Sequence, residues 1–141
     1  MSQKLSKAIT ALKSEFMKKN KGGSHIHEII PALAESLSIR EHDLDMLHKF
    51  AESNSIYTSS YEMNILDTTC KVYQGDVNNY WLDSIKHDTS YAPFYPIWIL
   101  SAYALALESK NLGAEQIIDI GSGDGRIAYC AKIVGLQSCA I

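Results

Sequence analysis

The chain has 141 residues, 46% of them apolar, which fits one domain with a buried core. Lys and Arg number 13 against 16 Asp and Glu, a formal net charge of −3, so the molecule as a whole has no attraction for polyanions. No apolar run reaches the roughly 20 residues that span a bilayer. The candidate at 97–107 is too short and contains Ser101 and Tyr103. Its 3 cysteines have no C-x-x-C spacing, and the first residues lack a secretory leader pattern. The expectation is a cytoplasmic protein with reduced thiols.

Leu5, Ile9, Leu12 and Phe16 recur at helical spacing, with lysines on the other face, and predict a first helix. Lys4, Lys7, Lys13, Lys18, Lys19 and Lys21 crowd this segment. They form either a solvated face or a contact for nucleic acid or an acidic partner, and no arginine or aromatic cluster joins them. A glycine break at 20–24 ends the helix. A second helix is expected from Ile29 to Leu37, with Pro31 at its start or kinking it. Ser38-Ile39-Arg40-Glu41 has capping-box spacing and predicts a third helix burying Leu44, Leu47, Phe50 and Ala51. Ser59-Ser60-Tyr61-Glu62 repeats that pattern and predicts a fourth, with Met63, Leu66, Cys70 and Tyr73 inside and Gly75 as its stop. Trp81 and Ile85 suggest a short fifth helix within 76–88. Residues 1–89 are thus expected to be a helical N-terminal region. His25, His27, His42 and His48 match no zinc spacing and read as surface residues.

The chemistry is concentrated in Ile117-Ile118-Asp119-Ile120-Gly121-Ser122-Gly123-Asp124-Gly125-Arg126. Apolar residues closing on an aspartate predict a buried strand, the alternating glycines a tight loop, and Ile127 to Ala131 a helix. Glycine permits positive φ and close approach of backbone to ligand, and the helix N-terminus behind it favours negative groups. Dinucleotide enzymes place their third glycine five residues after the first, where this chain has Arg126. A phosphate-binding P-loop needs Gly-Lys-Ser/Thr, which is absent.

Asp119-x-Gly121-x-Gly123-x-Gly125 resembles motif I of the class I S-adenosylmethionine-dependent methyltransferases. Upstream, Tyr91-Ala92-Pro93-Phe94-Tyr95-Pro96, a helix to about Ser109, and then Asp119-Ile120-Gly121-Ser122-Gly123-Asp124-Gly125-Arg126 resemble the start of the archaeal protein-lysine methyltransferases. Those are in turn similar to the catalytic domain of the telomeric-silencing histone lysine methyltransferases. The family carries a Tyr-x-Pro-Thr-Pro-like segment. Phe94 and Tyr95 stand here where it has one threonine. The likeness covers 90–141, and residues 1–89 match no known pattern.

The resemblance implies an α/β fold: residues 90–141 as the N-terminal part of a Rossmann-like methyltransferase domain, behind the helical region at 1–89. Gly135-Leu136-Gln137 would turn into a second strand at 138–141, in which the chain ends. The expectation is therefore a fragment, mostly helical as given, with little cofactor affinity by itself. It also implies S-adenosylmethionine as cofactor, held by Asp119, Gly121, Ser122, Gly123 and Gly125, with Tyr91 lining the cofactor or lysine channel or else packing the core. Asp124 and Arg126 are either ligand contacts or a helix cap and a surface cation. Phe94 and Trp98 are expected to pack. The expected acceptor is a lysine on a protein substrate. RNA or small-molecule methylation, or a non-catalytic helical interaction module, are the alternatives. No residue here is a candidate for the catalytic step.

Overall fold

The structure, a computed structural model, describes residues 2–19, 25–76, 96–120 and 123–141. Helix α1 (Ser2–Lys19) opens the chain and buries Leu5, Ile9, Leu12 and Phe16, the stripe its periodicity predicts. Strand β1 (His25–Pro31) follows, then a single 3-10 turn (Ala34–Ser36) and α2 (Glu41–Ser53). Strands β2 (Ser59–Ile65) and β3 (Thr68–Asp76) come next. Helix α3 (Ile99–Asn111), strand β4 (Gln116–Asp119), helix α4 (Arg126–Ile133) and strand β5 (Gln137–Ala140) complete the described elements.

The fold is mixed α/β. One sheet is antiparallel with order β1–β3–β2, and a second pairs β4 with β5 in parallel. Parallel neighbours need a crossover, and α4 supplies it. This is one βαβ unit, and the order of the described strands is not that of a Rossmann sheet.

The expectation of an all-helical region at 1–89 is overturned, since β1, β2 and β3 all fall within it. The helix expected at 29–37 is mostly β1 and the 3-10 turn. Glu28, Ile29, Ile30 and Pro31 are buried in succession, because β1 meets core on both faces, and so the strand shows no alternation for a reader to find. Pro31 is tolerated because β1 is an edge strand. The helix expected from Ser59 is the β2–β3 hairpin. Ile65 pairs with Thr68, leaving a two-residue turn in which Leu66 and Asp67 have φ of 50° and 61°. That is the twist a tight hairpin requires, normally written Asn-Gly. Gly75 stops no helix. It pairs with Ile26 inside β3, and a Cβ there would lie 1.8 Å from the Ile56 carbonyl oxygen. The short helix expected around Trp81 and Ile85 lies outside the described residues.

Helix α2 exists and buries Leu44, Leu47, Phe50 and Ala51, but not through the expected box. Ser38 has φ of 56°, and Arg40 is the N-cap without a side-chain cap bond. Arg40 instead donates to Asp43 at 2.7 Å. Buried Asp43 also accepts from the Tyr103 hydroxyl at 2.5 Å, tying α2 to α3. Helix α1 packs on α3 and α3 on α4. One continuous apolar core runs from Leu5 through Ile29, Leu47 and Val72 to Cys130 and Leu136, so the antiparallel sheet and the βαβ unit share an interior.

Candidate functional site

Strand β4 delivers Asp119 to its C-terminal end, the edge at which open α/β units take ligands. Asp119 accepts from the Ile141 N–H through its backbone carbonyl at 2.9 Å, which fixes the strand end against β5. Its carboxylate is half-buried and has no hydrogen-bond partner among the described residues. Gly121 and Ser122 lie outside the described residues, as do Tyr91 and Phe94. Gly123 and Gly125 take φ of 58° and 78°, the left-handed region that costs other residues about 1–2 kcal/mol. A Cβ at Gly125 would meet nothing within 4 Å, so its backbone angle rather than crowding calls for glycine. Gly125 is the N-cap of α4, and its carbonyl accepts from Tyr129 N–H at 2.9 Å.

The first N–H groups of a helix have no acceptor within it. Here Asp124 Oδ1 takes that of Arg126 at 3.3 Å, and Ile127 and Ala128 follow in the same first turn of α4. Asp119, half-buried at the end of β4, and the N-terminus of α4 thus flank the glycine segment in the chain, the one offering a carboxylate and the other amide donors. That combination suits a zwitterionic amino-acid group, whose ammonium seeks the carboxylate and whose carboxylate seeks the N–H pair.

Beneath the loop is a cluster that sequence reasoning missed. Arg126 is not a surface cation. It is 3% exposed, beside Glu28 at 0%. Its Nη2 donates to Asp124 Oδ2 at 2.6 Å and its Nε to Asp124 Oδ1 at 3.0 Å. Its Nη1 donates to Glu28 Oε2 at 3.2 Å and to the Ile97 carbonyl. Nη2 also reaches the Tyr57 hydroxyl at 3.3 Å, and the guanidinium carbon lies 5.4 Å from the Phe50 ring. Glu28 accepts from Ile99 N–H at 2.6 Å and from Tyr57 at 3.1 Å. Asp124 also accepts from Asn54 Nδ2 at 2.9 Å. Burial pushes the Glu28 carboxyl up to about 8, against the pull of Arg126, the Ile99 N–H and the Tyr57 hydroxyl. Glu28 and Arg126 are 98 positions apart, and no local spacing rule connects them.

The other candidates separate from this site. Trp98 is buried and meets Phe16 edge-on at 6.2 Å, with Lys13 Nζ 5.3 Å from its ring. The described lysines of α1 are otherwise exposed. His48 is not a surface residue. It is half-buried, with Nε2 at 3.0 Å from the Pro31 carbonyl and Nδ1 at 2.7 Å from the Tyr73 hydroxyl, and burial lowers its pKa. Among the described residues no three His, Cys, Asp or Glu side chains gather as a metal site would need. No helix among them is long and apolar enough to cross a membrane. A groove of about 340 Å³ lies between α1 and α3, lined by Ser6, Thr10, Leu105 and Glu108 among others and by no loop residue.

No family model, curated protein or solved structure matches the chain.

Proposed function

We propose that the β4–α4–β5 unit is the cofactor-binding start of a class I S-adenosylmethionine-dependent methyltransferase whose acceptor is a lysine on a protein. One observation carries this reading. A parallel strand ends on Asp119, whose carboxylate has no partner among the described residues, and a glycine loop with two left-handed residues leads from it into the N-terminus of α4. In this reading Asp119, the backbone of Gly121, Ser122, Gly123 and Gly125, and the Ile127 and Ala128 amides hold the methionine end of the cofactor. The cofactor supplies a methyl group made electrophilic by its sulfonium. The chain's residues bind and orient it, and positioning is the main source of rate in such transfers.

Titration of the intact protein with S-adenosylmethionine tests this. Asp119→Ala should weaken binding about tenfold or more by removing a charge-assisted partner. It should leave the melting temperature unchanged, because the carboxylate holds no other described group. Gly121→Val should abolish binding, since a side chain there would take ligand space. Undiminished affinity in both variants would remove the cofactor from this loop, and tight NADH binding would favour a dinucleotide instead. Methyl transfer to lysine-rich protein, and its absence on RNA, tests the acceptor.

A further inference from the structure

The glycine loop cannot set its own shape. Asp124 stands between Gly123 and Gly125, two residues with the widest conformational freedom of any, and ordering such a segment costs entropy that local contacts must offset. The only side chain in Gly123-Asp124-Gly125 is that of Asp124. Its carboxylate is held by Arg126 through Nε and Nη2 and by Asn54, whose own Oδ1 accepts from Ile56 N–H at 3.1 Å. Arg126 is in turn held by Glu28 of β1 and by Tyr57, which follows Ile56 in the connection between α2 and β2. Among the described residues, the outer contacts of this aspartate and arginine, apart from the Ile97 carbonyl and the Phe50 ring, thus come from the antiparallel sheet or its entry segment.

We propose that Arg126 is a positioning residue through which the N-terminal antiparallel sheet sets the shape of the glycine loop. Glu28 and Tyr57 fix its guanidinium, and the guanidinium with Asn54 fixes Asp124, so Gly123 and Gly125 on either side are held in their left-handed angles. An arginine is suited to this because its planar fork offers five donors in fixed directions, which a lysine cannot reproduce. Burying a charge cluster of this kind adds little net stability over an apolar packing. Its effect is to select one arrangement of the residues it touches. The loop-shaping part of the proposal stands on the geometry alone. Its consequence for binding rests on the cofactor reading above.

Amide hydrogen exchange on the intact protein, read beside melting and S-adenosylmethionine titration, tests it. Arg126→Lys keeps a positive charge beside Glu28 but cannot hold Asp124, Tyr57 and Glu28 together. Exchange of the Arg126 and Tyr129 amides, held by the Asp124 carboxylate and the Gly125 carbonyl, should rise about tenfold or more, as local opening without global unfolding requires, while Met63 and Val72 in the hairpin change less than about twofold. Affinity should fall about tenfold with it. Should the lysine variant fail to fold, Asn54→Ala removes one clamp from a half-buried position and should loosen the same amides. An equal rise in exchange across hairpin and loop, or none in the loop, would overturn the proposal in favour of a purely stabilising cluster. Loosened loop amides with unchanged affinity would keep the loop-shaping role and overturn its consequence for binding. A loosened loop in a protein whose wild type binds no S-adenosylmethionine would retain the positioning role and discard the cofactor reading.

Discussion

Glu28 is a carboxyl with no exposed surface, and its titration is coupled to folding. In the native chain it is raised from 4.5 to about 8, chiefly by burial. Between those values the folded state keeps a proton that the unfolded chain releases. The stabilisation is therefore complete below about 4.5, fades as pH rises, and is gone above about 8. His48 works in the opposite sense, since its lowered pKa adds stability as pH rises through the histidine range. The comparison that isolates Glu28 is thus between wild type and Glu28→Gln, which cannot titrate. The urea midpoint of the wild type should fall relative to that of the variant between pH 5 and pH 8. A constant difference between the two across that range would contradict the assignment.

Among the elements, the β2–β3 hairpin depends on one glycine. A methyl group at Gly75 would meet the Ile56 carbonyl oxygen at 1.8 Å and the Ile56 carbonyl carbon at 2.9 Å, and these are backbone atoms that cannot rotate aside. Gly75→Ala should cost about 3 kcal/mol or more, the upper part of the range for single substitutions. It should also draw Tyr57 away from Glu28, because Ile56 and Tyr57 are adjacent. A urea midpoint equal to that of the wild type would show that the connection has room to move. Legibility in the sequence followed the same physics. Helices α1 and α2 were readable because each meets core along one face, so apolar residues recur at helical spacing, whereas α3 was expected only from the family resemblance. The β4–α4–β5 unit was readable because its alternating glycines stand between an apolar run and a helical one. The hairpin was not, because its turn is Leu66-Asp67 rather than Asn-Gly. The Glu28–Arg126 pair was invisible for a different reason: it is made by the fold, across 98 positions, and nothing near either residue announces the other.

At the scale of the whole molecule, the antiparallel sheet and the βαβ unit share one core, and the buried arginine ties the first to the loop of the second. The parallel pair is covered on the side of α4. On its other side Ile118 is 62% exposed, with Ile120 at 81% and Ile141 at 72%, whereas parallel sheets are normally covered on both faces. The Asp119 carboxylate and the start of α4 lie at the end of this unit, and the account stands on a ligand binding there. Amide shift mapping of the isotope-labelled intact protein, with S-adenosylmethionine added, tests that most directly. The account predicts shifts concentrated from Asp119 to Ala128, with Met63 and Val72 in the hairpin unmoved. Shifts confined to other elements, or none at saturating cofactor, would contradict it.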